Sequence, residues 1–302
     1  MSARHSHHHR RGSAGRFIER ALLGAVIAAL LFCGWWRLSG GSWREVQTPS
    51  MGTVAPVGSL LWVKPVAYAD LKPGDFITFH PPGRPNETFS HRVYSIDAHG
   101  ILTKGVIPGP DPWHLRASDI VGKVSSVWWG AGWIVVAMPI LLGGAIAIGL
   151  VRALARDRWR LPATIVLVSL TLTVAITWLR PFVNAQQLSF RPVGGGAEAT
   201  YVGTGLLPVR LSAADPSDAA RPGGTAVLRD GQVGTVFVST ADPGGRLRVN
   251  LGPRIPFWWW LILVGACFVP AVACLAVGQS AAESRPAAHD HRGPRAYAPR
   301  RA

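Results

Sequence analysis

Long apolar runs and shorter alternating runs divide the chain into segments of two kinds. Four segments are apolar over close to the roughly 20 residues that a helix needs to cross a bilayer. They are 17–36, 124–151, 161–179 and 255–278. The pattern predicts a membrane protein with about four transmembrane helices, separated in two places by longer segments of mixed polarity.

Two of these spans have an alternative interpretation. The first resembles a secretory signal sequence in position, but its end carries Trp35, Trp36 and Arg37 in place of a small-residue cleavage site. We therefore expect a retained anchor. The third span is rich in threonine, and the core helix of a globular domain is the alternative there.

The first long segment, 37–123, is predicted to be β-structure. Short runs of apolar and alternating residues are separated by glycine and proline, and no stretch has helical periodicity. The runs lie at 59–63, 76–79, 92–96, 101–103 and 119–127. We expect a small β-rich domain in this segment.

The second long segment, 180–254, is also predicted to be β-rich. Two alternating runs within 224–240 flank Asp230-Gly231, which is a strong indication of a β-hairpin. A further strand is predicted at 246–251. No set of residues here suggests chemistry, so we interpret the segment as a structural accessory domain that can also dock partners or present substrate.

Composition and charge exclude two broad classes. Hydrophobic residues make up 48% of the 302 residues and charged residues 16%, against roughly 25% charged in soluble domains. A disordered protein and a simple soluble enzyme are both excluded. The net charge of +15 is compatible with nucleic-acid binding, but the positions of the charges favour another explanation.

The basic residues are concentrated in three short segments. Residues 1–20, 152–160 and 279–302 hold 14 of the 31 lysines and arginines. Short loops rich in positive charge stay in the cytoplasm. We therefore expect cytoplasmic tails at 1–16 and 279–302, a cytoplasmic loop at 152–160, and both β-rich segments on the outer side of the cell membrane. No nucleic-acid partner is expected.

No metal or other cofactor is expected. The cysteines Cys33, Cys267 and Cys274 all lie in apolar runs, where they are expected to behave as small hydrophobic residues. No Cys/His spacing suggests a zinc site. The His-rich first nine residues are interpreted as a solvated tail, with weak metal binding as the alternative.

Three residues of the first β-rich segment are candidates for catalysis. Ser50 lies about 14 residues after the end of the first span. His91 begins a predicted strand, and Asp111 lies in a predicted loop rich in proline and glycine. A serine hydroxyl needs a base to become a nucleophile, and an imidazole can be that base. A carboxylate can hold the imidazole in the required tautomer. Alone, each has an ordinary structural explanation.

Together, these residues lie in a series of motifs that resembles a known family. The motifs are TPSM (48–51), VGSLLWVKPV (57–66), LKPGDFITFH (71–80), SHRVYSI (90–96), LTKG…PDPW (102–113) and DIVGKV (119–124). Their order, spacing and content resemble those of type I signal peptidases, in the ER/archaeal-like branch that uses a serine–histidine pair. The resemblance ends near residue 150.

The resemblance implies a fold and a role for each site residue. The fold is mostly antiparallel β-sheet, with an apolar face resting on the membrane. Ser50 is implied as nucleophile, His91 as general base in the place where most bacterial enzymes have lysine, and Asp111 as orienting acid. Thr48 and the Ser50 N–H are implied as donors to the oxyanion.

The chain departs from the family pattern at Val106, where the family has an acid. Asp111 is then the candidate nearest to the motif, and Asp97 and Asp119 are the alternatives. A serine–histidine pair without a third member would retain partial activity.

Two lysines and one further acid need a role. Lys64 and Lys104 are alternative bases, which would require burial to lower the pKa. We expect Lys104 instead to neutralise or position the acid of the site. Asp75, in Pro-Gly-Asp, is interpreted as a turn-forming residue.

The resemblance implies a membrane-bound serine endopeptidase that removes signal peptides from translocated pre-proteins. The cut would follow small residues placed one and three positions before it. The expected partners are pre-proteins, the lipid bilayer and the protein-translocation machinery. The alternative is a non-catalytic membrane β-protein that acts as a surface binding or assembly factor.

Overall fold

The computed structural model describes residues 11–239, 248–258, 260–262 and 265. Most of the regular structure outside the long helices is β-sheet, as the alternating runs predict. The helices are α1 Arg11–Leu38, α2 Ala131–Leu154, α3 Asp157–Leu179 and the short α4 Pro216–Ala219.

The first β-rich segment forms one antiparallel sheet of seven strands. Their order across the sheet is β1-β2-β7-β3-β4-β5-β6. The strands are β1 Ser42–Glu45, β2 Leu60–Lys64, β3 Phe76–Phe79, β4 Phe89–Asp97, β5 Gly100–Lys104, β6 Pro110–Leu115 and β7 Ile120–Trp128. Five of them coincide with predicted strands, whereas β1 and β6 do not.

Strand β6 corrects the expectation that Asp111 lies in a loop. Pro110 and Pro112 make this stretch look like a turn in the sequence. The strand lies at the edge of the sheet, next to β5 alone. An edge strand tolerates proline because one row of its backbone groups has no strand to pair with.

Both faces of the sheet are covered by apolar side chains. One core cluster consists of Leu71, Ile77, Phe79, Val93, Ile101 and Leu115. A second cluster, Met51, Ala55, Leu61, Val63 and Phe76, includes the residue that follows Ser50. All four residues of β3 are therefore buried, and the chain around Ser50 is packed onto the sheet.

The second β-rich segment forms two sheets of three strands. One sheet has the order β11-β10-β13 and the other β12-β9-β8. The strands are β8 Ala185–Val193, β9 Gly196–Gly203, β10 Val209–Ala213, β11 Thr225–Leu228, β12 Val233–Val238 and β13 Val249–Pro253. Their shared core contains Val209, Leu211, Leu228, Val236 and Val238. The predicted strand 246–251 coincides with β13 in part, and residues 246–247 lie outside the described residues.

The predicted hairpin around Asp230-Gly231 is wrong in its pairing. Strand β11 pairs with β10, and β12 pairs with β9, so the two runs belong to different sheets. Gly231 donates its N–H to the carbonyl of Gly203, the last residue of β9. The turn therefore carries the chain from one sheet to the other. Apolar side chains of β11 and β12 pack into the same core, which stabilises this arrangement.

The described residues support fewer spans than the four predicted. Helices α2 and α3 are long and apolar enough to cross a membrane, with mean hydropathies of 2.6 and 1.9. The apolar helical stretch Leu23–Leu38, within α1, is shorter. The fourth predicted span, 255–278, lies largely outside the described residues. Helices of this kind cross membranes, but the core helix of a soluble protein or an N-terminal signal sequence can have the same length and composition.

Two predicted boundaries move. The second span was expected to begin at Val124, but Val124 pairs with Val63 in the sheet, and α2 begins only at Ala131. The predicted loop 152–160 shrinks to residues 155–156, because α2 and α3 extend into it. Basic Arg152 lies in the last turn of α2 and acidic Asp157 in the first turn of α3, where each interacts favourably with its helix dipole.

An aromatic cluster joins the end of α1 to the seven-stranded sheet. Its centre is Trp62 on β2, whose ring lies 4.9 Å from that of Trp36 and 4.6 Å from that of Trp128. Phe32 and Trp43 also contact Trp62, with ring centroids 5.6 Å away in each case. Trp36 is only 5% exposed. The C-terminal end of α1 is therefore packed against β2.

The two β-rich domains meet at the turn between β11 and β12. The indole N–H of Trp129 donates a hydrogen bond of 2.8 Å to Oδ2 of Asp230. Among the described residues, nothing hydrogen-bonds to the buried Oδ1 of Asp230. Burial raises the pKa of Asp230 to about 6, against smaller lowering effects of hydrogen bonds from Trp129 and from the Gly231 N–H.

This raised pKa predicts a pH-dependent stability. The ordinary pKa of the group is 3.8, so the folded protein binds the proton more tightly than the unfolded chain does. The resulting stabilisation is complete at low pH and is lost as the pH rises through about 6. Because the carboxyl is half-exposed, we expect about 1 kcal/mol, or roughly 2–4 °C in thermal midpoint.

Asp230→Asn removes this titration and leaves a carbonyl oxygen for Trp129. The measurement is the thermal unfolding midpoint of both proteins in detergent from pH 4 to pH 8. We expect the wild type to lose stability relative to the variant across this range. A constant difference between the two proteins would contradict the prediction.

Candidate active site

Ser50 lies in a 3₁₀ helix, Pro49–Val54, that is fixed to its surroundings on both sides. The Ser50 carbonyl oxygen accepts hydrogen bonds from the N–H groups of Val106, at 2.9 Å, and Ile107, at 3.0 Å. Met51 is buried in the second core cluster. Gly52 has φ +51° and ψ −133°, a conformation that residues with a Cβ rarely adopt. The serine is therefore presented on a tightly turned and well-supported segment.

His91 lies on β4 and is 3% exposed. Its Nε2 is 3.0 Å from Oγ of Ser50, and its Nδ1 is 2.7 Å from Oδ2 of Asp111. The rings of Phe79 and Phe89 lie about 6 Å from the imidazole. Both ring nitrogens are thus hydrogen-bonded within a largely apolar setting. The structure brings together the three residues that the sequence predicts as a group.

Thr103 is a fourth member of the group that the sequence analysis did not single out. Its hydroxyl donates a hydrogen bond of 2.5 Å to the same Oδ2 of Asp111 that faces His91. His91, Thr103 and Asp111 lie on the adjacent strands β4, β5 and β6. Thr103 is fully buried beside Ile101, and a buried hydroxyl at an apolar-facing position of a strand is the feature that could have identified it.

Thr48 lies beside the serine hydroxyl. Its Oγ1 is 3.5 Å from Oγ of Ser50, at the outer limit of a hydrogen bond. The Thr48 side chain is exposed, and it is free to turn toward a group bound next to Ser50. This position is compatible with the oxyanion role that the resemblance implies.

The structure does not bring Lys104 or Lys64 into the group. Neighbouring residues of a strand point to opposite faces, so Lys104 lies on the other face of β5 from Thr103. Its Nζ is 5.6 Å from the ring centroid of Tyr94. Lys64 Nζ lies over the ring of Trp36 at 5.2 Å. The expectation that Lys104 positions the acid of the site is therefore corrected.

The alternative acids have other partners. Asp97 Oδ1 accepts the N–H of His99 at 2.8 Å, and this bond helps to lower the Asp97 pKa. Asp119 Oδ2 accepts the N–H of Arg116 at 2.8 Å. Asp111 alone of the three candidates hydrogen-bonds to His91 in the described part of the chain.

Asp75 forms a turn and an ion pair. Its carboxylate accepts the N–H of Lys72 at 3.1 Å and contacts Nζ of Lys123 at 2.7 Å. Burial raises the pKa of Asp75, but the hydrogen bonds and charges of these two lysines outweigh it, so the pKa is lowered overall. The structural interpretation of this residue agrees with these contacts.

A cleft of about 500 Å³ lies next to the serine. One wall is the chain from Trp43 to Thr48, and the other is the chain from Asn86 to Ser90. Its apolar lining residues include Met51, Leu61 and Phe76. Glu45 in the first wall is half-buried, and burial raises its pKa while a hydrogen bond from Gln47 opposes the shift. The lining includes Thr48, two residues before Ser50, and Met51, the residue after it.

The arrangement has the chemistry of an activated nucleophile. A hydroxyl, an imidazole and a carboxylate form one hydrogen-bonded chain, in which the imidazole can take the hydroxyl proton and the carboxylate can stabilise the resulting cation. In the described residues, no group of three or more His, Cys, Asp or Glu side chains could hold a metal ion.

No protein-family model matches this chain, and no curated protein matches it either. What the protein does must therefore be inferred from the geometry of the site.

The hydrogen bond from Thr103 to Asp111 predicts the effect of a conservative substitution. Thr103→Val keeps the shape of the side chain and removes the donor, which leaves a buried carboxylate with one partner fewer. A hydrogen bond to a charged group contributes about 1.5–3 kcal/mol to holding that group in place, so without it the Asp111 carboxylate and the His91 ring are less well oriented. Because a misplacement of about 1 Å can cost roughly 10²-fold in rate, labelling of Ser50 by a fluorophosphonate probe should slow by roughly tenfold. The measurement is the second-order labelling rate of purified protein at pH 8.

Lys104→Met is the matched control, because it changes the neighbouring residue on the opposite face of the same strand. We expect its labelling rate to stay within about twofold of the wild type. If Lys104→Met labels more slowly than Thr103→Val, the lysine contributes to the site and the assignment of Thr103 is contradicted.

Proposed function

We propose that this chain is a membrane-anchored serine endopeptidase of the signal peptidase I type, which cleaves signal peptides from translocated pre-proteins. The observation that carries the proposal is the hydrogen-bonded chain from Ser50 through His91 to Asp111. These residues come from three separate elements of the fold. A binding domain has no need of a buried imidazole held at both nitrogens and directed at a serine hydroxyl.

The proposed mechanism begins with proton transfer. The carboxylate of Asp111 accepts the Nδ1–H of His91, which leaves Nε2 free to accept a proton. As Oγ of Ser50 attacks the scissile carbonyl, its proton moves to Nε2, and Asp111 stabilises the imidazolium that forms. The imidazolium then gives this proton to the leaving amine, and an acyl-enzyme remains.

The second half of the reaction repeats these roles with water. His91 removes a proton from a water molecule, the hydroxide attacks the acyl-enzyme, and Ser50 recovers its proton. In both halves, negative charge develops on the carbonyl oxygen of the substrate. The N–H of Ser50 and the hydroxyl of Thr48 are the proposed donors to this oxyanion, and one such donor typically contributes about 3 kcal/mol. The mechanism uses no metal, nucleotide or other cofactor.

The cleft next to Ser50 supports a peptide as substrate. Strand β1 is an edge strand of the sheet, and its chain forms one wall of the cleft. An extended peptide can pair with such an edge through its backbone. The apolar side chains of Met51, Leu61 and Phe76 in the lining suit small apolar side chains of a bound peptide. This agrees with the selection for small residues that the family resemblance implies.

The position of the site relative to α1 supports a substrate that is held in a membrane. Helix α1 ends at Leu38, and the 3₁₀ helix that carries Ser50 begins at Pro49. If α1, α2 and α3 are anchors in the cell membrane, the charge distribution puts the sheet on the outer side. A pre-protein tethered by its signal helix then meets the site at a high effective concentration. The translocation machinery is the proposed neighbour that delivers it.

The alternative function is a non-catalytic binding or assembly factor. It is favoured by Val106 in place of the acid of the family and by the second domain, which has a core of its own. It leaves the contacts of His91 unexplained. A folded protein that labels with no serine-directed probe would support it.

Cleavage of a membrane-tethered pre-protein by purified protein in detergent tests the proposal. We expect Ser50→Ala and His91→Ala to lower the cleavage rate by roughly 10⁴–10⁶-fold, because each removes a member of one catalytic unit. Asp111→Asn should lower it by roughly 10³–10⁴-fold, because the amide stabilises the wrong tautomer. The measurement is the single-turnover rate.

Asp97→Asn is the control for removal of a carboxylate from the same sheet. We expect its cleavage rate to stay within about twofold of the wild type. Cleavage that survives Ser50→Ala, or a wild type that is folded and cuts none of several pre-proteins, would overturn the proposal.

A further inference from the structure

The turn between β11 and β12 makes backbone contact with the segment that carries Ser50. A methyl group placed on Gly231 would lie 2.6 Å from the Thr53 nitrogen and still closer to the carbonyl of Gly52. Real Cβ atoms do not approach other atoms so closely, so only glycine fits. The backbone of the second domain therefore lies against the backbone two residues after the serine.

Hydrogen bonds within the second domain hold the Asp230-Gly231 turn in place. Gly231 donates to the carbonyl of Gly203 at 2.8 Å, and Gly203 donates to the carbonyl of Gln232 at 2.9 Å, which ties the turn to the end of β9. The carboxylate of Asp230 accepts the hydrogen bond from Trp129, the residue after β7. Both domains thus fix the position of the turn.

The serine segment is consequently supported from two sides. On one side, Val106 and Ile107 hold the carbonyl of Ser50 through their N–H groups. On the other side, Gly231 lies against Gly52. A cavity of about 610 Å³ between Val106, Ile107 and the second domain borders this contact, so packing there is incomplete and the contact at Gly231 is a local support.

We propose that the Asp230-Gly231 turn of the second domain is a positioning element for the Ser50 nucleophile. This inference rests on the proposed peptidase function. The turn touches no reacting atom. It acts by holding Gly52 and Thr53, and through them the orientation of Oγ toward Nε2 of His91. The second domain is then part of the working enzyme and more than a structural accessory.

Gly231→Ala tests the contact, with Gly195→Ala as the matched control. Both glycines have left-handed backbone, with φ +75° and φ +81°, so alanine strains each of them similarly. A methyl group on Gly195 meets nothing within 4 Å. The difference between the variants therefore isolates the contact with the serine segment.

The expected result is a loss of kcat with little change in KM. A displacement of about 1 Å can cost roughly 10²-fold in rate, so we expect Gly231→Ala to lower kcat by about 10–100-fold. The cleft on the other side of Ser50 is unaffected, so KM should stay within about twofold. Gly195→Ala should match the wild type in both constants.

Hydrogen exchange supplies a readout that does not depend on activity. The amides of Val106 and Ile107 are protected by the Ser50 carbonyl, so they should exchange faster in Gly231→Ala and at the wild-type rate in Gly195→Ala. If Gly231→Ala fails to fold, Trp129→Phe replaces it, because that change removes the hydrogen bond to Asp230 without a clash. It should lower kcat and speed the same amides to a smaller extent.

The two proposals fail in different ways. If the wild type cleaves and Gly231→Ala matches Gly195→Ala in kcat and exchange, the positioning inference is overturned and the peptidase stands. If the wild type cleaves nothing, the proposed function is overturned. Exchange at Val106 and Ile107 then still decides whether the turn holds the serine segment: unchanged rates refute it, and faster rates in Gly231→Ala alone support it.

Discussion

A buried imidazole with a hydrogen bond at each nitrogen is the constraint on which the site depends. His91 is 3% exposed, and a ring so far from water needs partners from the protein. Ser50 and Asp111 supply them from the 3₁₀ helix and from β6. The order β4-β5-β6 in the sheet, the inward position of Thr103 and the packing of Met51 all contribute to holding these partners at hydrogen-bond distance.

Much of the first sheet could be predicted from local pattern, and what escaped prediction depends on long-range pairing. Short apolar and alternating runs, bounded by glycine and proline, identified β2 to β5 and β7. It missed β6, because Pro110 and Pro112 are tolerated there only by virtue of the edge position. It found the runs of β11 and β12 but paired them wrongly, because a common core and not the turn sequence decides their partners. The pattern of β5 could have marked Thr103 as an inward-facing hydroxyl, but its partner Asp111 becomes evident only from the strand order.

The candidate site illustrates the same limit. Sequence motifs put Ser50, His91 and Asp111 forward, and left Asp97, Asp119 and Lys104 as alternatives. The structure distinguishes these candidates. Lys104 lies on the opposite face of β5 from Thr103, and Asp97 and Asp119 accept backbone N–H groups elsewhere. The apolar length of α2 and α3 was foreseeable from composition, whereas the beginning of α2 was not, because Val124 is both strand-like and apolar. Their place in a membrane stays a prediction.

Under the proposed function, the join between α1 and the sheet has a consequence for substrate choice. Trp36 packs on Trp62, and the chain that follows α1 is paired into the sheet as β1. The connection from α1 to Ser50 is therefore held against the sheet over most of its length. An enzyme held in this way in a bilayer would attack peptide bonds only within a narrow range of heights above the surface. Depth of insertion of the signal helix would then select the cleaved bond together with side-chain size.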